Sequence, residues 1–537
     1  MPLMGSLYTG VSGLQTSQNA LNTTAHNLSN LETIGYVRQQ VLLGTREYNT
    51  ISNSAISKNQ VGLGVNYEKV RQVRDQFLDL SYREETGRTA FYEISFDVAN
   101  EIETLLGEME GVAFQNSLND LWVSVQELAK DPASAVNQGL LVSKATVFLE
   151  RANAVSGGLS SYQQNLNLQV KDAVDQVNKY AETIYELNNK IRKVEVGSEE
   201  ANDLRDARNQ AIDELAALVP ISYDENADGL ITVDIDGQVL VSKDRTFPMG
   251  VKRDETTGFY TPVWTFNNDA PVFDLSRKIS SDLDTDIGKL KALVLARGDH
   301  SANYSDLKEP GYTDKGIRDS FVMKVQAEFD NLIHGVTTAM NCVLCGESNP
   351  PAAGTSYAQG ECPIELFVRL GTPRYVDDGT GNYVYVEEHT AGSPSDISTM
   401  YTTANLKINP DLLKQPTLLS FVKADQKVDQ DKADKLKAIF TDKFDTLNPD
   451  VTKTSNFQDY YSDLVGAVAN EGSVYKNRAS SQSSTVKSIE DARQQVAGVS
   501  QDEELTNMIK FQNAYNASSR YINAIDEMLE HIINKLG

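Results

Sequence analysis

Residues 1–31 carry no charge, although 23% of the residues in the whole chain are charged. The first Asp, Glu, Lys or Arg is Glu32. Apolar residues in this segment alternate between spacings of four and three, which is the heptad pattern of a helix that packs along one stripe. This predicted seam consists of Leu7, Val11, Leu14, Leu21 and Leu28. A solvated helix normally carries charges opposite its apolar stripe. Because this segment has none, we predict a helix that is buried against other subunits. A short surface helix is the alternative.

The C-terminal segment repeats this spacing through nearly the whole tail. Its seam consists of Met508, Phe511, Tyr515, Ile522, Ile525, Leu529, Ile532 and Leu536. Each terminal helix has little neighbouring sequence to pack on, and isolated helices are marginal in water. The simplest solution is that the two helices pair with each other as a coiled coil, which brings the two ends of the chain together.

Between the ends, helical and β-type patterns alternate. Apolar residues follow a helical period over residues 76–219, and Asp131-Pro132 interrupts it. After Pro220, alternating apolar and polar residues predict strands. We therefore predict a mainly α fold with β-rich insertions. Its units are a terminal coiled-coil domain (1–60 and 499–537), a discontinuous helical domain (61–219, 287–345 and 406–498), a β-rich domain (220–286) and a small β/loop insertion (346–405).

The composition excludes several classes of protein. A chain of 537 residues is long enough for several cores. Its formal net charge of −26 repels phosphate, so neither nucleic acid nor an anionic membrane surface is an expected partner. No apolar stretch approaches the length of a membrane span, and the N-terminus lacks the pattern of a cleaved signal peptide. Three cysteines are too few for a disulfide scaffold of this size.

Two patterns resemble metal sites. Asp224, Asn226, Asp228, Gly229 and Thr232 have the spacing of a calcium-binding EF-hand loop, but the last ligand position holds Ile235 instead of Glu. A β-turn is therefore favoured over a weak calcium site.

The cysteines form the second pattern. Cys342, Cys345 and Cys362 are one ligand short of a four-cysteine site, which His334 would have to complete. A disulfide or free thiols are favoured, and we predict no metal and no cofactor.

No catalytic constellation is recognisable in the sequence. The five histidines are scattered, no nucleophile motif accompanies them, and no glycine-rich phosphate loop follows a strand. Acidic pairs such as Glu84-Glu85 are typical of solvated surface. The sequence therefore predicts a protein that is not an enzyme.

The end of the first helix carries a recognisable motif. Residues 25–36 read AHNLSNLETIGY and resemble the N-terminal motif of the flagellar rod, hook and hook-associated proteins, with His26 where that family has Asn and Ile34 where it has Pro. Residues 499–520 resemble the C-terminal motif of the same family, and residues 457–465 resemble a segment upstream of it. The motif residues in the N-terminal part are Asn27, Asn30, Thr33, Gly35, Tyr36, Arg38 and Gln39.

The motif also has a direct physical interpretation. Asn27 and Asn30 can hydrogen-bond nearby backbone, and Gly35 permits positive φ, so together they can end the helix and turn the chain. Tyr36 would then anchor the exit from this turn.

The pair Arg38-Gln39 narrows the resemblance to the hook-associated proteins of the hook-filament junction. The resemblance implies an extracellular structural subunit, exported through the flagellar type III apparatus without a cleaved signal peptide, which forms a ring of identical subunits and is needed for filament assembly. The implied partners are the hook protein, a second junction protein (hook-associated protein 3) and an export chaperone. A hook or rod subunit is the alternative within the family, and a secreted calcium-binding protein with self-assembling ends is the alternative outside it.

Overall fold

The computed structural model describes residues 2–46, 48–53, 58–107, 113–197, 200–226, 228–349, 351–352, 354–388, 397–423 and 426–536. Helices dominate, and the strands are short and lie in separate small sheets. This confirms the predicted fold class. Among the described helices, none combines the length and the apolar character needed to cross a bilayer.

The elements are numbered along the chain. The helices are α1 (Pro2–Ser29), α2 (Gln76–Leu106), α3 (Phe114–Lys130), α4 (Ala135–Glu195), α5 (Asn202–Leu218), α6 (Lys289–Arg297), α7 (Gly311–Asp314), α8 (Phe321–Cys345), α9 (Pro410–Lys414), α10 (Gln430–Thr441), α11 (Phe457–Ala497) and α12 (Gln501–Leu536). The strands are β1 (Gln39–Thr45), β2 (Tyr48–Asn53), β3 (Lys58–Gly62), β4 (Val65–Gln72), β5 (Ile221–Glu225), β6 (Ile231–Ile235), β7 (Gln238–Val241), β8 (Met249–Arg253), β9 (Tyr260–Trp264), β10 (Ala270–Pro271), β11 (Ser356–Ala358), β12 (Phe367–Arg369), β13 (Tyr375–Asp377), β14 (Asn382–Tyr385), β15 (Leu406–Ile408), β16 (Asp445–Thr446) and β17 (Thr454–Ser455).

A β-ribbon follows α1. β1 and β4 pair antiparallel, β2 and β3 pair beyond them, and residues 39–72 are called the ribbon below. The hydroxyl of Thr9 donates to the carbonyl of Gly62 at 3.1 Å, and the amide of Val65 donates to Ser12 Oγ at 3.3 Å. A two-stranded ribbon is only marginally stable by itself, so its packing on α1 supports it.

The ribbon changes the interpretation of the uncharged helix. α1 packs against α12 on one face and against the ribbon on another, so two of its faces are covered within the same chain. The sequence analysis predicted the pairing of the two terminal helices, assigned the burial of the uncharged polar face to other subunits and did not recognise the ribbon. The boundary predicted at residue 60 falls inside β3.

The helical part of the chain is built around α4. This helix has 61 residues, which corresponds to about 90 Å at 1.5 Å per residue. Its core contains a cluster of aromatic rings, in which Phe114 lies 5.4 Å from Phe148, 5.1 Å from Phe329 and 5.0 Å from Tyr461 between ring centroids. The Tyr461 hydroxyl donates to the carbonyl of Leu106 at 2.7 Å, which satisfies a buried polar group at the end of α2.

Asparagines of α4 attach the β-rich region to this helix. Asn188 donates to the carbonyl of Ile231 at 2.8 Å and accepts from its amide at 3.2 Å. Asn178 makes the same pair of bonds with Met249, both at 2.9 Å. Because each amide side chain satisfies both backbone groups of one residue, the sheets β5-β6-β7 and β8-β9-β10 are fixed along α4.

Candidate functional site

Asn27 lies at the centre of a hydrogen-bonded site at the end of α1. It is only 1% exposed. Its Nδ2 donates to the carbonyl of Gln39 at 2.9 Å and to Glu504 Oε2 at 3.2 Å. Its Oδ1 accepts from the amide of Gln39 at 3.0 Å and from the hydroxyl of Tyr36 at 2.8 Å. All four hydrogen-bonding positions of the amide are therefore used.

The turn between Asn27 and Tyr36 is closed by backbone bonds. The amide of Thr33 donates to the carbonyl of Asn30 at 3.0 Å, and the amide of Tyr36 donates to the carbonyl of Thr33 at 3.2 Å. Gly35 has φ +79°, which side chains disfavour, and an added Cβ would lie 2.9 Å from Gln210 Oε1. The turn thus needs the glycine both for its conformation and for its close approach to α5.

Arg38 joins this site to the opposite end of the chain. Its Nε donates to Glu504 Oε1 at 2.9 Å and an Nη donates to Glu503 Oε1 at 2.7 Å. Its backbone amide donates to the carbonyl of Ala497 at 2.8 Å. Glu504 is 2% exposed, so its buried carboxylate requires the partners that Arg38 and Asn27 provide.

Asp206 of α5 connects the same site to the helical domain. It accepts from the amide of Val37 at 3.1 Å and from Gln72 Nε2 at 2.6 Å. Burial raises the pKa of Asp206 to about 7, although the amide of Val37 and the nearby Arg74 act in the opposite direction. Asn27, Tyr36, Arg38, Gln39, Asp206 and Glu504 are called the terminal joint below.

The motif residues from the two ends of the chain therefore meet at one place. Of the predicted N-terminal motif, Asn27, Tyr36, Arg38 and Gln39 lie in the terminal joint, and the remaining residues, Asn30, Thr33 and Gly35, form the turn beside it. The sequence analysis missed Asp206, because no pattern around it distinguishes it from the other acidic residues of α5. Glu504 lies inside the quoted C-terminal motif, so its position carried a usable signal.

His26 and Ile34, where the sequence departs from the family pattern, have different surroundings. The Nε2 of His26 lies 3.2 Å from Asp203 Oδ1, and its ring packs edge-on against Tyr36 with 5.6 Å between centroids. Ile34 is 87% exposed. His26 is thus accommodated at the joint, whereas Ile34 projects from the turn.

Six of the eight predicted seam positions on α12 are buried or half-buried. Ile525 is 3% exposed, whereas Ile532 is 39% exposed and the side chain of Leu536 lies outside the described residues. The remaining predicted positions are half-buried, namely Met508, Phe511, Tyr515, Ile522 and Leu529. The covered part of the stripe ends before the C-terminal turns of the helix.

The predicted seam on α1 lies beside the helix contact. Val11 is 37% exposed, and the other predicted positions, Leu7, Leu14, Leu21 and Leu28, are half-buried. The contact itself uses small residues, since a Cβ on Gly10 would lie 2.8 Å from Ile522 Cγ1 and one on Gly13 would lie 2.8 Å from Ser518 Oγ. Helices approach more closely where contact residues are small. The prediction of the leucine seam used only the spacing of apolar residues and did not consider the size of the residues at the contact. Its role in subunit packing stays a prediction.

The calcium-like loop is a hairpin turn. Asp224 and Thr232 face each other in the antiparallel pair β5-β6, and Ile235 is a buried strand residue. Asn226 Oδ1 accepts from the amides of Asp228 and Leu230 at 3.0 and 2.9 Å. Two of the side chains that would bind a cation are therefore cross-strand partners, in agreement with the β-turn interpretation.

The three cysteines are free thiols in this structure. Burial raises the pKa of Cys345 to about 12. His334 does not join them, because its Nε2 lies 3.0 Å from Glu388 Oε2 and its ring stacks on Tyr304. No group of three or more potential metal ligands occurs in the part of the chain that the structure describes.

The protonation of Asp206 gives the joint a testable pH dependence. A carboxyl group whose pKa is raised on folding contributes stability below its unfolded pKa, near 4, and loses that contribution as the pH rises through about 7. We expect hydrogen-exchange protection around Val37 to fall from pH 4 to pH 7, by up to about 1.4 kcal/mol per pH unit. Asp206→Asn should flatten this dependence. An equally steep fall in the variant would contradict the assignment.

Comparison with known proteins identifies relatives over nearly the whole chain. The family described as "Flagellar hook-associated protein FlgK helical domain" matches residues 99–345. "Flagella basal body rod protein" matches residues 7–36, and "Flagellar basal body rod FlgEFG protein C-terminal" matches residues 493–535. The two terminal matches contain Asn27, Tyr36 and Glu504 of the terminal joint, and the helical match lies between them.

Full-length relatives carry one name. Flagellar hook-associated protein 1 of Bacillus subtilis (strain 168) is 26% identical over 99% of this chain and 98% of its own length. The protein of that name from Salmonella typhimurium is 24% identical over 98% of both chains.

A solved structure shares the fold. The flagellar hook junction protein FlgK from Burkholderia pseudomallei aligns with a TM-score of 0.53 and 13% identity, covering 78% of this chain and 100% of the other. The matches together do not favour a hook or rod subunit or a calcium-binding protein. The chain is homologous over nearly its whole length to flagellar hook-associated protein 1 of other bacteria, and it is a structural component of the bacterial flagellum.

Proposed function

We propose that this chain forms the junction layer between hook and filament and is needed for filament assembly. Full-length similarity to hook-associated protein 1 supports this role. The observation that carries it is the terminal joint, where Asn27 and Arg38 from one end of the chain hold Glu504 from the other. A subunit built in this way presents both ends as one packed unit to its neighbours, while the rest of the chain extends from that unit.

The terminal helices expose apolar side chains that neighbours could cover. On α12, Ile509 is 60% exposed, Met528 55% and Ile533 68%. On α1, Tyr8 is 57% exposed. Met528 and Ile532, the latter 39% exposed, lie one turn apart on the same face of α12, and adjoining exposed apolar groups are typical of protein interaction surfaces. We infer that identical subunits pack through these faces to form a ring.

The chain assembles with other flagellar components. The proposed partners are identical copies of the chain, the hook protein, hook-associated protein 3 and an export chaperone. We propose export through the flagellar type III apparatus without a cleaved signal peptide, and a mechanical role without catalysis. We also retain the four-unit division of the chain as a proposal, with the whole ribbon assigned to the terminal unit, because the ribbon packs on α1.

Deleting the gene should leave complete hooks without filaments. A filament cannot polymerise on a hook that lacks the layer complementary to it, so unpolymerised flagellin should accumulate in the medium. Electron microscopy of the deletion strain, together with an assay of monomeric flagellin in the culture medium, measures both effects. Restoring the gene on a plasmid is the control. Normal filaments in the deletion strain would refute the proposed role.

A further inference from the structure

A cavity of about 560 Å³ lies where several parts of the chain meet. Its walls come from the turn between β8 and β9, the loop that follows α6, and residues just before β15. It shares no lining residue with the terminal joint. Cavities of this size between units of a chain are typical of sites for small molecules, so its lining needs an explanation of its own.

Side chains of α4 hold the walls of this cavity in place. Gln163 donates to the carbonyls of Arg297 and His300, both at 2.8 Å. Asn167, one turn further along the helix, donates to the carbonyl of Gly258 in the turn between β8 and β9 at 3.2 Å. A ligand would therefore enter a preformed site and would not have to order these loops.

Arg297 is a buried cation at this cavity. It is 2% exposed, and its side chain lines the cavity. Its Nε donates to the carbonyl of Gly298 at 2.9 Å, and its Nη1 donates to Asn167 Oδ1 at 2.5 Å and to the carbonyl of Tyr260 at 2.8 Å. Among the described residues, its Nη2 has no hydrogen-bond partner and the guanidinium has no ion pair. Because a buried donor without a partner costs free energy, Nη2 is available to a ligand oxygen.

The charges around the cavity cancel. They belong to three acids and three bases, namely Asp254, Asp299, Asp306, Arg297, His300 and Lys315. Although burial acts in the opposite direction, Asp299 and Asp306 raise the pKa of His300 to about 9, so its ring is charged at neutral pH. Lys315 Nζ donates to Asp306 Oδ1 at 2.7 Å. An anionic ligand would meet carboxylates as well as cations, and the net charge of −26 would add to the repulsion.

Free acceptors accompany the free donor of Arg297. Asp254 Oδ1 accepts from the amides of Thr256 and Thr257, both at 2.8 Å, and Asp299 Oδ1 lies 2.5 Å from His300 Nδ1. The second oxygen of each carboxylate has no partner in the part of the chain that the structure describes. Hydroxyl and apolar groups complete this lining, namely Thr261, Ser301, Ile397 and Met400.

We propose that this cavity binds a neutral sugar, with Arg297 donating to a hydroxyl oxygen and Asp254 and Asp299 accepting from neighbouring hydroxyls. Each sugar hydroxyl donates and accepts at once, so a sugar uses both kinds of free group. Its C–H faces match the apolar side chains of Ile397 and Met400. A sugar carries no charge, so the three carboxylates do not repel it. This binding is independent of the proposed role in assembly.

Saturation-transfer difference NMR on the purified full-length chain tests the proposal. The probes are glucose, galactose, mannose, rhamnose and N-acetylglucosamine, with acetate and glutamate as charged competitors. At least one neutral sugar should give a saturable signal and should bind more tightly than either acid. Asp299→Ala removes a charged acceptor and should weaken this binding about tenfold.

A pair of tryptophan variants locates the bound sugar. Thr256 is exposed and lines the cavity, so Thr256→Trp should block the entrance and weaken binding at least about tenfold. The neighbouring Glu255 is exposed and does not line the cavity, so Glu255→Trp should bind as the parent chain does. All three substituted positions are exposed, so each variant should keep the thermal midpoint of the parent chain.

Three results would overturn the proposal. If none of the five sugars gives a saturable signal, the cavity does not bind a neutral sugar. Tighter binding of acetate or glutamate would show that the free guanidinium selects a carboxylate. Equal binding by the Thr256→Trp and Glu255→Trp variants would place the sugar outside this cavity.

Discussion

Replacing Asn27 with leucine should disrupt the terminal joint more than any other single change in α1. The leucine fills the space but leaves the backbone amide and carbonyl of Gln39, the hydroxyl of Tyr36 and one oxygen of Glu504 without their partner. Buried polar groups left unsatisfied cost about 1–3 kcal/mol each, and more when charged. We expect a loss of about 3 kcal/mol or more, measured as a hundredfold fall in hydrogen-exchange protection of residues 497–504.

Asn22 provides the matched control for this variant. It is an exposed asparagine of the same helix, so Asn22→Leu changes the same chemistry without removing buried bonds. Protection of residues 497–504 should stay unchanged in this control. Equal effects of the two substitutions would show that Asn27 acts only through helix propensity or solubility, and the central place assigned to it in the joint would be wrong.

The second large effect is expected for Ile525→Asp. Ile525 is 3% exposed, so the substitution places a carboxylate in the contact between α12 and α1 with no partner to compensate its burial. The chain should still be secreted with a folded helical domain, because the core around Phe114 is remote in sequence and separate from this contact. Filaments should be absent. Circular dichroism of the secreted chain and electron microscopy of the cells measure these two outcomes.

Ile533→Asp is the control, since Ile533 is 68% exposed on the same helix. This substitution should not separate α12 from α1 within the chain. The backbone amides of α12 should therefore keep their hydrogen-exchange protection in the secreted Ile533→Asp protein and lose it in the Ile525→Asp protein. Normal filaments in the Ile525→Asp strain would refute the assignment of this residue to the terminal contact.

The sequence predicted the helices well, because their apolar residues follow the helical period and recognisable breaks separate them. It also predicted the hairpin at residues 224–235, where Ile235 stands in place of a cation ligand. It did not predict the ribbon. Most residues of β4 are exposed, so its sequence shows no clear alternation of apolar and polar residues. The ribbon is also stabilised by packing on α1, and this tertiary contact cannot be predicted from the local sequence.

The terminal joint was predictable only in part. Asn27 and Gly35 have intrinsic turn chemistry, and Tyr36 follows directly, so the turn could be inferred from neighbouring residues. Asp206 contributes through contacts with Val37 and Gln72, which lie far away in sequence. The sequence analysis also did not identify the small residues of α1. Gly10 matters only because α12 packs so closely against it, and this distance cannot be predicted from the local sequence.

The separation in sequence between the two sides of the terminal joint has a consequence for the order of folding. Arg38 and Glu503 are 465 residues apart, so the joint cannot close until nearly the whole polypeptide is available to fold. A chain that stops short lacks the carboxylates that Arg38 and Asn27 require, and its first helix remains without a partner. Completion of the terminal joint therefore requires both ends of the chain, and we expect a product truncated before Glu503 to fail in assembly without any separate proofreading step.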